Sequence, residues 1–189
     1  MSLLFVLLTL CPATLAERQG YTVCYDKQNQ RALWTSHQPN PSQAPSPRKH
    51  WRKDPELNSL PAKAFTNTGF DRGHLASAAD LPESEDAFLT SNAIAQNPIL
   101  NRGPWRKLEN QIRRQRAVIV ITGAIYNNCG NEKIEAPCSI YKIALLPNGQ
   151  ILSESAKNAN PVDNPLKINT LQPEPQKPAL SKNPFTDFE

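Results

Sequence analysis

The chain has 189 residues, 18 prolines against 7 glycines, and 39% hydrophobic residues. That suffices for one core, and the prolines exclude a coiled coil, a helical repeat or a four-helix bundle. No apolar run reaches the roughly 18 residues needed to span a bilayer. The formal charge is +4, and it is unevenly placed: residues 17–149 hold 17 basic against 12 acidic side chains.

The apolar start MSLLFVLLTL, followed by CPATLA and then charged ERQG, predicts a secretory leader over 1–16, cut near Ala16, and hence a secreted or periplasmic protein. Removal of Cys11 leaves Cys24, Cys129 and Cys138. Cys129 and Cys138 flank a polar segment that a disulfide could close in an oxidising compartment, while the partner of Cys24 stays open. With no CxxC and three scattered histidines, a zinc site is not expected.

Tyr21–Tyr25 and Arg31–Trp34 read as strands around the polar turn DKQNQ. PNPSQAPSP (39–47) reads as an exposed loop, and the basic cluster Arg48–Lys53 follows it. The stretch from Asn67 reads as a turn entering DRGH, and Ser84–Leu89 as a short helix capped by Ser84. Trp105, Leu108 and Ile112 form a helical stripe over about 104–115, with Pro104 at its first position. Ala117–Thr122 and Ser139–Leu146 are expected as strands. The expected fold is therefore α+β, a mixed, mainly antiparallel sheet flanked by helices, over residues 17–149. Residues 150–189 contain six prolines and few large apolar side chains, so a largely disordered tail is expected there.

The second basic cluster, Arg102, Arg106, Lys107, Arg113, Arg114 and Arg116, surrounds the expected helix. Such charge can be a solvated face or a phosphate-binding surface. The segment Asp71-Arg72-Gly73-His74 sets a cation beside a titratable imidazole, and Asn92, Asn101 and Glu109 follow downstream. Phosphodiester hydrolysis needs a base for water, positive charge at the leaving oxygen, and donors to the phosphoryl oxygens. A neutral imidazole can serve as that base, and a hydrated hard dication needs few protein ligands, of which one carboxamide oxygen can be one. Glu109 borders the apolar stripe and needs a partner; helical spacing offers Arg106 or Arg113, and the alternative is to orient water of a metal's hydration shell.

FDRGH (70–74), SNAIAQNPILNRGPWRKLE (91–109), ITG (121–123) and IYK (140–142) together resemble the DNA/RNA non-specific endonucleases with a ββα-metal site. The resemblance implies His74 as general base, Asn101 as the side-chain ligand of Mg²⁺ (with Mn²⁺ substituting), and Glu109 orienting hydration-shell water. It implies Arg72 on the phosphate, Asn92 supporting the site, and Arg48 or Lys49 as another phosphate-binding cation, while the basic cluster offers Arg102 and Arg106 for binding DNA or RNA. Ser77 stands where the family usually has proline, and the tail offers no evident match to the family's C-terminal helix. The other reading is a nucleic-acid-binding protein of the same fold with weakened turnover.

Overall fold

The computed structural model describes residues 11–40, 50–82, 85–159 and, as backbone only, 168–170. Arg48, Lys49 and Ser84 lie outside the described residues. Seven strands form one antiparallel sheet: β1 (Thr14–Arg18), β2 (Tyr21–Asp26) and β3 (Arg31–His37) lead into β6 (Ile119–Ile125), β9 (Ser139–Leu145), β10 (Ile151–Lys157) and β11 (Ile168–Thr170), in that order. Two hairpins stand apart from it, β4 (Asp71–His74) with β5 (Ala93–Gln96), and β7 (Cys129–Asn131) with β8 (Ile134–Ala136). The strands follow the period-two rule of a sheet with one covered face. In β9, Ile140, Lys142 and Ala144 are buried while Tyr141, Ile143 and Leu145 are half-exposed. The β2–β3 turn is set by Asp26, whose Oδ1 accepts from the backbone N–H groups of Gln28 and Asn29.

Helix α1 (Arg106–Arg114) lays Leu108 and Ile112, with Trp105 just before it, on the covered face against Val120, Ile140 and Ala144. It starts two residues later than the proline position suggests. The carboxamide oxygen of Asn97 accepts from Ile99 and Leu100 and so begins a helical turn at Pro98. Residues Asn101–Trp105 then wind as one π-type turn, with Gly103 leaving helical geometry at φ −108°, ψ −105°. The expected helix over 84–89 is a single 3₁₀ turn at Asp86–Phe88.

Strands lie on both sides of the expected domain boundaries at residues 16 and 149. Thr14, Leu15 and Ala16 pair with Tyr25, Cys24 and Val23, Ala16 is buried, and Cys11 is disulfide-bonded to Cys24. A cut after Ala16 would remove that bond and most of β1. Beyond 149, β10 runs in register along the whole of β9, from Ile151↔Leu145 to Lys157↔Ser139. All six prolines of the tail lie after residue 160, so none interrupts this strand. Cys129 and Cys138 are bonded to each other, as their spacing suggested. No helix among the described residues is long and apolar enough to cross a membrane.

Candidate active site

The β4–β5 hairpin and the turn before α1 converge on an open cavity of about 580 Å³, lined by Trp51, Asp71, Arg72, His74, Phe88, Asn101, Arg102 and Arg106. DRGH is a strand and pairs Asp71 with Gln96 and His74 with Ala93. The glycine in it is a packing requirement. A Cβ on Gly73 would stand 1.9 Å from Oε1 of the buried Gln96, so no larger residue fits without moving that side chain.

His74 sits in an aromatic wall. Its ring centroid is 4.4 Å from that of Trp51 and 5.2 Å from that of Phe88, the latter edge-on. Burial lowers its pKa to about 4, only partly opposed by hydrogen bonding to the carbonyl of Ala87, and the ring is therefore neutral near pH 7. Its Nε2 is buried with no partner among the described residues. Trp51 is held in place by the loop behind it. The Asp54 carboxylate accepts from Arg18 (Nη2, 2.8 Å) and from Ser91 (2.7 Å), tying that loop to β1 and to the turn before β5.

Asn101 donates Nδ2 to Asp71 at 2.9 Å. A carboxylate only accepts, so the amide nitrogen must face Asp71, which leaves Oδ1 of Asn101 without a partner among the described residues. The same carboxylate accepts from Nε of Arg102 at 2.8 Å and from Nη2 at 2.5 Å. Burial works against ionisation of Asp71, but the hydrogen bonds from Arg102 and Asn101 outweigh it and hold its carboxyl below the ordinary range. Arg72 is exposed and donates Nη1 to the Ala62 carbonyl at 3.1 Å.

Two expected site residues are placed elsewhere. Asn92 is fully buried and does not line the cavity. Its Oδ1 accepts from Ala76 N–H, and its Nδ2 donates to the carbonyls of Ala76 and Ala87. Every polar atom is thereby used on backbone, and its link to the site runs through Ala87, which also serves His74. Glu109 likewise does not line the cavity. Its Oε1 is 3.6 Å from Nζ of Lys142 on β9, so its ion-pair partner is neither Arg106 nor Arg113. Arg113 instead pairs with Asp80.

Asn158, in a segment expected to be disordered, supports the turn before Asn101, and the sequence did not expose it. It is buried at the end of β10, accepts from the N–H of Asn97 at 2.8 Å, and donates to the carbonyls of Ala95 and Pro137. It clamps the turn that leads to Asn101. A polar residue at a strand end gives no periodic signal, and no local pattern marks it.

The donor set suits a hydrated oxygen-seeking dication better than a metal held wholly by protein. Among the described residues, Oδ1 of Asn101 is without a partner beside the Asp71 carboxylate, and no three of His, Cys, Asp and Glu cluster as ligands. Asn101 is therefore the residue that would hold the ion.

A strand hairpin followed by a helix, bringing an imidazole and a carboxamide to one basic cavity, defines the ββα class of site. A family model described as DNA/RNA non-specific endonuclease matches residues 11–171, and the chain belongs to that family. It is 29% identical to human mitochondrial endonuclease G over 170 residues, covering 74% of this chain and 57% of that protein. It is 28% identical to a nuclease of Serratia marcescens over 162 residues, covering 74% and 61% respectively. The chain thus spans about three fifths of the length of these relatives. A solved EndoG/EndoGI complex has a similar fold, with a TM-score of 0.63 at 20% identity over 81% of this chain and 78% of that one.

Proposed function

We propose that this protein is a metal-dependent endonuclease that hydrolyses phosphodiester bonds of DNA and RNA with little sequence preference. The observation that carries the reading is the shared cavity of His74 and Asn101, ringed by Arg72, Arg102 and Arg106. His74, neutral and walled by Trp51 and Phe88, takes the proton from the attacking water. Asn101 presents Oδ1 to Mg²⁺, with Mn²⁺ as a substitute, and the ion when bound offsets charge on the leaving oxygen. Arg72 and Arg106 contact the phosphate, each able to give two parallel N–H donors. Arg102 is shared with Asp71, so its charge is partly offset before substrate arrives. Arg48 and Lys49, outside the described residues, would add positive charge for the polymer backbone, and Glu109, behind the cavity, would act on water of the ion's shell.

Two disulfides suit an oxidising compartment, and export is the corresponding proposal. Plasmid nicking tests the reading. The protein should relax supercoiled plasmid in Mg²⁺ and not in EDTA, and His74→Ala should lose about 10²–10⁴-fold or more of the rate while remaining folded. Salt-sensitive retention of DNA without cleavage in Mg²⁺ or Mn²⁺ would leave nucleic-acid binding alone.

A further inference from the structure

Lys142 is a fully buried lysine on the covered face of β9, its side chain 1% exposed. Its ammonium meets three neighbours, one by a hydrogen bond, one as an ion pair and one across a ring face. Nζ donates to Oγ1 of Thr122 at 2.6 Å, stands 3.6 Å from Oε1 of Glu109, and lies 5.3 Å from the centroid of the Trp105 ring. Trp105 ends the turn that begins with Asn101, and Glu109 lies one turn into α1. One cation of the sheet thus grips the metal-binding turn and the helix behind it. We propose that Lys142 is a positioning residue for the reaction, fixing the Glu109 carboxylate and the Trp105 ring behind the turn that carries Asn101. This rests on the nuclease reading above.

Stability alone does not account for the arrangement. An ion pair taken out of water gains little over a well-packed apolar pair of the same volume, because desolvation offsets the attraction. The neighbouring charges are already matched, Asp80 facing Arg113 and His37, so Lys142 is not needed to neutralise them. Glu109 is the member of the pair with access to the outside, its side chain 14% exposed against 1% for Lys142. Burial raises the pKa of Glu109 and lowers that of Lys142, each against the pull of the other's charge. The lysine is therefore the group that keeps a carboxylate in this place.

The test is a double-mutant cycle of Lys142→Met and Glu109→Gln, with Lys142→Arg and Lys142→Gln alongside. Two quantities are read: the Mg²⁺ concentration for half-maximal plasmid nicking, and the rise in Tm on adding Mg²⁺ without substrate. Lys142→Met should raise the half-saturating Mg²⁺ about ten- to a hundredfold and shrink the Tm rise, and Lys142→Arg should recover most of both. In the Glu109→Gln background, Lys142→Met should add less than about twofold, since a residue acting through Glu109 has nothing left to act on. A folded Lys142→Met protein with wild-type Mg²⁺ response, or with its full effect retained beside Glu109→Gln, would overturn the proposal. So would failure of both Lys142→Met and Lys142→Gln to fold, which assigns the lysine to stability alone. If the wild type nicks plasmid equally well in EDTA, it is the metal-dependent reading that fails.

Discussion

The carboxylate of Asp71 accepts a 2.9 Å hydrogen bond from Nδ2 of Asn101, thirty residues further along the chain, and the same oxygen accepts from Nε of Arg102. The contact decides which end of the Asn101 amide faces the cavity. Asp71→Asn would let the amide turn over and would release Arg102. We expect the Mg²⁺ requirement for cleavage to rise about ten- to a hundredfold, with DNA retention in EDTA tightened, since Arg102 is freed and a negative charge is lost. A Mg²⁺ titration of nicking beside a filter-binding assay checks this, and an unchanged titration would remove Asp71 from the orienting role.

Much of the site was legible because its chemistry is local. DRGH and the run from Ser91 to Glu109 name the imidazole, the carboxamide and the arginines, and folding brings His74, Asn101, Arg72, Arg102 and Arg106 to one cavity. Strands of alternating or β-branched residues were equally readable, as at Tyr21, Arg31 and Ser139. The partners were less so. Nothing near Glu109 in sequence points to Lys142, 33 positions away on the sheet, and helical spacing favoured arginines that face elsewhere. At the two ends composition said less: averaging over 150–189 does not reveal β10, and the leader-like start does not reveal β1 or the Cys11–Cys24 pair.

Acid should destabilise the fold before it reaches the carboxylate range. Burial lowers the pKa of His37, against the opposing bond to Asp80, and takes that of His74 to about 4. Each imidazole is thus easier to protonate in the unfolded chain, which binds more protons below the ordinary histidine value near 6.5. Stability is fully present above that pH and falls as pH drops toward 4, with His74 alone contributing about 3 kcal/mol across the window. Thermal melts between pH 4 and 8 in EDTA check this. His74→Phe, which removes the titrating ring, should flatten the pH dependence, and an equally steep curve would reject the assignment.

The Cys129–Cys138 bond joins the two sides of the β7–β8 hairpin, whose Ile134 and Ala136 pack with Phe70, Ala93 and Ala95 behind the β4–β5 hairpin. Replacing both cysteines by serine should cost about 2–3 kcal/mol on the loop-entropy model. Because the hairpin buttresses β4 and β5, nicking at elevated temperature should fall earlier than in the wild type. Chemical denaturation with and without the bond gives the magnitude, and coincident transitions would show that the bond contributes nothing there.

Asn158 carries the last expectation. Its side chain satisfies the N–H of Asn97 and the carbonyls of Ala95 and Pro137, all inside the protein. Asn97 in turn caps the turn that starts at Pro98, and its carbonyl accepts from the N–H of Asn101. Removing the amide therefore acts twice. Asn158→Ala strands three backbone groups without partners, at about 3 kcal/mol in total when nearby water relieves part of the loss. It also loosens the turn that aims Asn101, so the Mg²⁺ requirement should rise more than in an equally destabilised core variant such as Ile140→Val or Leu146→Ala. Comparing variants matched in Tm separates the two effects. If all of them need the same Mg²⁺, Asn158 is a stability residue only, and the link from the end of β10 to the metal-binding turn is broken.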